Sequence, residues 1–387
     1  MKSMEFAGPD FRRALDIALM AVERRNAIPV LDSVLVRNGA GTSLIGTNLD
    51  MEIAASLGGQ GSSDAFLLPH PRQFRAMSGA AGGDVSVRYD PKTGRLSASA
   101  GGVQSDMAVP AVMADFPRIG LPDAAAHPEF AVTVGQDFLR ALARVAPASS
   151  VEETRYYLNG VHFHHVRGWT YALVTTNGYH LYRTFVQLPQ VEGKLTPLIL
   201  PNQLVDRLLR LSKWIGNAPL DIRMFGDARI RVRTSCGSAE VEIIGKLIDG
   251  KFPAYERAMP PAEGLRHASF EQADLLRAIR AVSAMAYERT RAVKLTFVPG
   301  GALVSLDSPE IGQTKVEIAG SHNFSGGAVA FNRDYLQGVF AGIGGSQIRL
   351  SSVGAGANRE EADSAAPVLF RNPDDQGFEA VIMPIRA

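Results

Sequence analysis

Asp137-Phe138-Leu139-Arg140-Ala141-Leu142-Ala143-Arg144-Val145 is the stretch on which the fold turns. Phe138, Ala141, Leu142 and Val145 fall at i, i+3, i+4 and i+7, the spacing of one buried helix face. Arg140 and Arg144 lie four apart and project together from a different face. The chain writes this pattern twice more. Asp10-Phe11-Arg12-Arg13-Ala14-Leu15 opens one run, continued by Ala18, Leu19 and Val22. Asp274-Leu275-Leu276-Arg277-Ala278-Ile279-Arg280-Ala281-Val282 opens another. The second start follows the first by 127 residues, and the third follows the second by 137. Self-similarity at that period predicts three copies of one domain, not a solenoid of short units. The expected domains are an N-terminal one at 1–125, a central one at 126–262 and a C-terminal one at 263–387.

A length of 387 residues accommodates that division. With 46% hydrophobic and 20% charged residues, the composition is that of an ordinary globular protein. The net charge of +1 leaves nucleic acid open, because a balanced total can hide a one-sided distribution. Cys236 is the single cysteine, which excludes an intramolecular disulfide and a cysteine-rich metal site and fits a reducing compartment. No secretory signal opens the chain, and no apolar run reaches the ~18–20 residues of a membrane span. The expectation is a soluble, cytoplasmic protein.

Each copy reads as two similar halves. Copy one has a helix at Asp10–Arg25, strands at Val30–Val36 and Thr42–Leu57, and the strand Phe66-Leu67-Leu68-Pro69 leading into a helix at Pro71–Met77. Strands Val85–Tyr89 and Arg95–Ala100 follow. Copy two has a helix at Asp137–Ala146, strands at Tyr157–His164, Thr170–Thr176 and Leu198–Pro201, a helix at Gln203–Trp214, and strands at Leu220–Phe225 and Ala228–Thr234. Copy three has strands at Val293–Val298, Ala302–Asp307 and Thr314–Ile318, a helix at Tyr335–Ala341, and a strand at Gln347–Ser352. Gly354–Asp375 carries Glu360, Glu361, Asp363, Asp374 and Asp375 and reads as a solvated acidic loop with a strand at Pro367–Phe370.

Basic residues recur on the faces away from the core in five of the six helices. They are Arg12, Arg13, Arg24 and Arg25; Arg72 and Arg75; Arg140 and Arg144; Arg207, Arg210 and Lys213; and Arg277 and Arg280. Each face alone is adequately explained as solvated. Recurrence across copies has a second explanation: copies arranged around an axis would converge these faces into one basic lining. Such a lining would meet phosphates without reading sequence. No aromatics interleave with the arginines, so duplex backbone fits better than stacked single strands.

Motifs for catalysis are missing. There is no GxxxxGK[ST] loop, no strand-bound GxGxxG and no nucleophile elbow. His162 and His164 share a strand face but lack a carboxylate or cysteine at ligand spacing, so surface strand histidines are expected. Asp50 and Glu52 also share a face and read as an exposed polar strand surface, not an acid–base pair.

Several stretches, taken in order, resemble the bacterial beta sliding clamps, the processivity subunits of DNA polymerase III. They are Ile28-Pro29-Val30-Leu31, Asn48-Leu49-Asp50-Met51-Glu52, Asp115-Phe116-Pro117, Arg155-Tyr156-Tyr157-Leu158-Asn159-Gly160, Asp249-Gly250-Lys251-Phe252-Pro253-Ala254-Tyr255 and Val381-Ile382-Met383-Pro384-Ile385-Arg386. The resemblance implies an α+β chain of three similar domains, each with two helices packed on antiparallel sheets. It implies a head-to-tail homodimer closed into a ring, with the helices inside and duplex DNA passing through. It implies no catalytic residue, no metal and no cofactor. The partners would be the DNA polymerase III alpha subunit, the clamp loader, and other polymerases and repair proteins, docking short peptides of the Gln-x-x-Leu-Phe kind. Carried over by motif, the peptide site comprises Leu158, Thr176, Gly178, Leu181, Pro253, Arg257, Ala258, Val381, Ile382, Met383 and Pro384, bordered by Arg155, Tyr156, Asn332 and Tyr335. Arg25 is the foremost expected DNA contact.

Departures from the family pattern are specific. Tyr179 and His180 stand where the family commonly has His and Arg, which removes a fixed charge from the rim. Ala258 replaces a larger aliphatic residue, and Ile385 stands for the usual Met. At the ring interface, Ser105 and Met107 are expected to face Met285 of the other copy. The altered rim motivates one alternative, a divergent accessory clamp with a narrower set of partners.

Overall fold

The computed structural model describes residues 2–24, 28–39, 41–58, 65–109, 111–120, 127–226, 228–261, 263–286, 292–309, 311–353 and 366–385. Antiparallel strand pairs build three sheets, of four, nine and twelve strands. Among the described residues six α-helices accompany them: α1 (Gly8–Ala18), α2 (Pro71–Ala81), α3 (Gln136–Val145), α4 (Asn202–Leu211), α5 (Gln272–Ala284) and α6 (Arg333–Gly342).

The chain divides into two compact units. The first comprises Met1–Gln136, Pro189–Leu195 and Asp206–Leu247; the second comprises Asp137–Leu188, Thr196–Val205 and Ile248–Ala387. The first holds the four-stranded and nine-stranded sheets. In the nine-stranded sheet, Met51–Gly58 pairs with Ala239–Lys246, joining strands of the first and second sequence copies. The second unit holds the twelve-stranded sheet, in which His180–Gln187 pairs with Asp375–Ile382, joining the second and third. Continuous backbone pairing thus crosses from one copy to the next within each unit.

The helical face read at 138–145 is the buried one: Phe138, Leu139, Ala141, Leu142 and Val145 are all buried. At ~1.5–3 kcal/mol for each fully buried large apolar side chain, that stripe is what holds the helix.

α1 is shorter than its periodicity suggests. It ends at Ala18, not Arg25, and Met20 and Ala21 turn back to the Ile17 and Ala18 carbonyls. The reason is a close approach. A Cβ on Gly46 would lie 2.2 Å from the Ala18 carbonyl oxygen, so the Gly41–Thr47 strand passes directly against the helix end. The carbonyls left over at Met20 and Val22 accept from Arg207 and Arg72, each at 2.5 Å.

Other boundaries move for local reasons. Pro29–Asp32 forms a turn of 3-10 helix before the strand Ser33–Asn38, as Pro29 fixes φ in a helical range. The single strand expected at Thr42–Leu57 is two strands, Gly41–Thr47 and Met51–Gly58, hinged at Asn48-Leu49-Asp50. There the Asn48 side chain accepts from the Asp50 and Met51 N–H groups, Thr47 Oγ1 donates to the Met51 carbonyl, and Leu49 takes a φ of 77°. The same turn occurs in the second copy. Asn177 accepts from Tyr179 and His180, Thr176 Oγ1 donates to the His180 carbonyl, and Gly178 takes a φ of 90°. In the acidic stretch, 354–365 lies outside the described residues, while Val368–Asn372 and Asp375–Ile382 form paired strands.

Candidate functional site

The basic residues fall into two groups. Five are tied into the fold. Arg12 donates to the Ser78 and Gly83 carbonyls at the end of α2, and Arg72 and Arg207 hold the end of α1. Arg144 donates to the Gly342 carbonyl that ends α6, at 2.6 Å, pairs with Asp375 at 2.7 Å and lies over the Phe378 ring. These four arginines bond carbonyls in or shortly after the last turn of a helix, on the side where the dipole favours a cation. Arg75 makes a two-pronged pair with Asp16 at 2.8 Å. Desolvation raises the Asp375 carboxyl, but the Arg144 bond, the Gly377 N–H bond and the Arg144 charge together outweigh it and hold Asp375 below the usual carboxylate range.

The other group reaches solvent. Arg13, Arg24, Arg140, Arg210, Lys213, Arg277 and Arg280 are exposed. Arg140, Arg210 and Arg277 make only short-range pairs, with Asp137, Asp206 and Asp274 of their own helices. Such exposed pairs are worth well under ~1 kcal/mol and exchange readily with phosphate. Arg25 lies outside the described residues. So Arg140 and Arg144, one helical turn apart, have different fates: one is open to solvent and the other anchors α6.

The residues expected to hold a peptide all lie in the second unit. Their floor is one apolar cluster that includes Leu158, Val174, Leu181, Phe252, Tyr255, Leu369 and Val381. Sheet register puts it together: Leu181 lies opposite Val381, and His180 opposite Ile382. Ile382 is fully buried, on the strand face opposite that of Val381. Met383 and Pro384 are half-buried at the strand's end, where Met383 N–H donates to the Tyr179 carbonyl at 2.9 Å. Pro253, Arg257 and Ala258 are exposed on the segment that carries buried Phe252 and Tyr255. Tyr156 and Tyr179 are more than half exposed.

At the rim, Arg155 pairs with Glu152 at 2.8 Å, and its guanidinium passes 2.6 Å from where a Cβ on Gly178 would stand. Gly178 thus serves both the positive φ and the close approach. Asn332 caps α6 through the Asp334 N–H, which places Tyr335 in the first turn. Tyr335 stacks on His180 with ring centroids 4.1 Å apart, and its hydroxyl accepts from Asn177 at 3.3 Å. Asn177 was not among the expected site residues, yet its amide both closes the turn and holds Tyr335. Nor were Arg183 and Glu379, directly opposed in the sheet, where Arg183 lies over Tyr255.

His180 is only 6% exposed, and burial pushes its pKa down to about 4 from 6.5. Below pH 6.5 the unfolded chain takes up a proton that folded His180 refuses. Stability therefore falls as pH drops from about 6.5 to about 4 and levels off below, a loss of about 3 kcal/mol. Urea unfolding at pH 7 and pH 5 should show this, with a shallower pH slope in His180→Gln. Identical slopes would remove His180 as a source.

Two other expectations change. His162 and His164 are not simple surface histidines. They stack on each other, His162 stacks on Phe252 at 4.6 Å, and His164 Nε2 bonds the Tyr255 hydroxyl at 3.0 Å. Burial, helped by His164, pushes His162 down to about 4. They cover the apolar cluster. Glu52 is not on an exposed polar face. It is 2% exposed and receives Arg118 through two bonds of 2.8 Å and the Ile119 N–H at 3.0 Å. Asp50 is exposed and pairs with Lys246 at 3.2 Å. The strap around Asp115-Phe116-Pro117 brings Arg118 across the strand, which strand alternation cannot reveal. Among the described residues no group of His, Cys, Asp and Glu could hold a metal, and no helix is long and apolar enough to cross a membrane.

Residues 133–254 match the model of the DNA polymerase III beta subunit central domain, and residues 257–386 match that of its C-terminal domain. The chain is 30% identical over 387 residues to the beta sliding clamp of Caulobacter vibrioides, covering 97% of both. It is 27% identical over 379 residues to that of Pseudomonas aeruginosa, again covering 97% of both. Among solved structures, the Bartonella birtlesii sliding clamp bound to griselimycin superposes with a TM-score of 0.87 at 25% identity, over 100% of this chain and 99% of that one. The Caulobacter crescentus DNA polymerase sliding clamp gives 0.86 at 26%, over 100% of both.

The α+β architecture and its superposition on solved sliding clamps define a DNA clamp fold. The chain belongs to the DNA polymerase III beta subunit family, the bacterial beta sliding clamps. Its function is that of a DNA sliding clamp, and the family binds DNA and polymerase partners. Full-length similarity to beta sliding clamps gives the accessory-clamp alternative no support.

Proposed function

We propose that two copies of this chain associate head to tail into a ring of six domains, three from each copy at 1–125, 126–262 and 263–387. Duplex DNA passes through the ring. The exposed cations Arg24, Arg140, Arg210, Lys213, Arg277 and Arg280 meet its phosphates in weak, exchangeable contacts that permit sliding. Arg12, Arg72, Arg75, Arg144 and Arg207 act chiefly by holding the helices that carry them. The ring is non-catalytic, needs no cofactor and works in the cytoplasm. The Val103–Ala108 strand, with Ser105 and Met107, is an edge strand paired on one side only and supports the interface; Met285, half exposed, would face it from the other copy.

The polymerase III alpha subunit, the clamp loader, and other polymerases and repair proteins dock on the Leu158–Leu181–Val381 floor, between Tyr156, Arg155, Tyr335, Pro253, Arg257 and Met383. The observation that carries this reading is the floor itself, an apolar cluster near exposed Tyr156, Tyr179, Pro253 and Arg257 and half-buried Met383. Fluorescence anisotropy with a labelled Gln-x-x-Leu-Phe-type peptide tests it. The native protein is expected to bind in the micromolar range and Met383→Ala to lose about tenfold, the cost of one truncated anchor contact. Equal binding by both proteins would displace the site from Met383.

A further inference from the structure

The nine-stranded sheet of the first unit carries a charged surface outside the residues proposed above for DNA and for the peptide. Along Arg229–Cys236 the even-numbered residues are buried, and Arg229, Arg231 and Arg233 take the opposite face. On the neighbouring strand Asp221, Arg223 and Phe225 share that face. Asp221 lies opposite Arg233, Arg223 opposite Arg231, and Phe225 opposite Arg229. Two arginines directly opposite each other repel. Arg223 is relieved by Asp221 at 2.9 Å, and Arg233 by Glu242 at 2.5 Å. Arg231 makes no ion pair among the described residues. Its guanidinium lies 5.6 Å above the Phe225 ring, and its Nε is buried without a hydrogen-bond partner. Burial, then Arg233, push its pKa down, against the pull of Glu242. A cation kept in this setting with an unsatisfied N–H is one half of an anion site.

We propose that Arg231, flanked by Arg223 and Arg233, receives a carboxylate side chain of an acidic peptide from a partner protein. The surroundings favour a peptide over a nucleic acid. Glu240 lies opposite Ser235 and Glu242 opposite Arg233 on the next strand, and Asp221 closes the other side. A continuous phosphate chain would cross those carboxylates, whereas one carboxylate centred on Arg231 avoids them. Ile244 lies opposite Arg231 and Phe225 beside it, so the immediate neighbourhood of the cation is apolar and strengthens a charged hydrogen bond.

Calorimetry with the full-length protein tests this, using a hexaglutamate peptide and a ten-residue oligothymidylate as probes. Arg231→Gln is expected to weaken hexaglutamate binding about tenfold, the loss of one charge-assisted pair. Asp221→Asn should tighten it, and Lys246→Gln, on the same sheet face but paired with Asp50, should leave it within twofold. Arg223→Gln gives a second reading of the same cluster if Arg231→Gln does not fold. No hexaglutamate binding, or equal binding by native, Arg231→Gln and Arg223→Gln proteins, would overturn the proposal. So would oligothymidylate binding that is tighter and equally dependent on Arg231, which would make the site one for nucleic acid.

Discussion

Arg118→Met is expected to destabilise the first unit by about 3–5 kcal/mol, the usual cost of removing one partner from a buried ion pair. Glu52 is the buried member, 2% exposed, while Arg118 is 40% exposed. Removing the arginine strands a carboxylate with only the Ile119 N–H to satisfy it. Removing the glutamate instead releases an arginine that can turn to water. Glu52→Gln should therefore cost less, since an amide can still accept from Ile119, and the double variant Glu52→Leu with Arg118→Met should recover much of the loss. Against a stability of roughly 5–15 kcal/mol for a typical domain, the Arg118 change is large. Chemical denaturation of the three variants measures the ordering. If Arg118→Met proves no more costly than Glu52→Gln, the buried charge is not what matters there.

Reversing Arg140, Arg210, Lys213, Arg277 and Arg280 together to Glu is expected to abolish stable loading on circular duplex DNA. These side chains are exposed, and their intrahelical pairs hold little energy. Each phosphate contact contributes about 0.9 to the slope of log affinity against log salt, so five lost contacts should lower that slope by roughly 4–5 and affinity by about a hundredfold or more. Gel filtration of the protein with nicked plasmid, across a salt series, reads both. The expected signature is loss of DNA association with an unchanged melting temperature. Reversing Arg12, Arg72, Arg144 and Arg207 should instead lower the melting temperature, since those side chains close helix ends. Unchanged loading by the first set would sink their assignment to DNA.

The contrast between those sets shows where sequence reading stops. Helix periodicity placed Phe138, Leu142 and Val145 inside and both Arg140 and Arg144 outside, and that is where they are. Periodicity reports only which face leaves the core. It is silent on whether another helix end waits there, because Gly342 is almost two hundred residues away from Arg144. The same holds for Glu52, whose burial depends on a strap that crosses the strand from Arg118. Thr47-Asn48 and Thr176-Asn177 each precede a residue of positive φ and build the same turn, so a Thr-Asn pair between two apolar runs marks the hairpin in both copies.

By itself the sequence determined the α+β class, the buried faces of α1, α3 and α5 and the family, through motifs spread along its length. Those features follow from local spacing and from short stretches of chain. The tertiary structure alone decided which cations remain free and which close helices. It brought Leu158, Leu181 and Val381 into one floor, made His180 a neutral support for Tyr335, and left Arg231 Nε without a hydrogen-bond partner among the described residues. Each of these depends on strand register or on helix ends meeting distant side chains, and no local pattern encodes such long-range pairing.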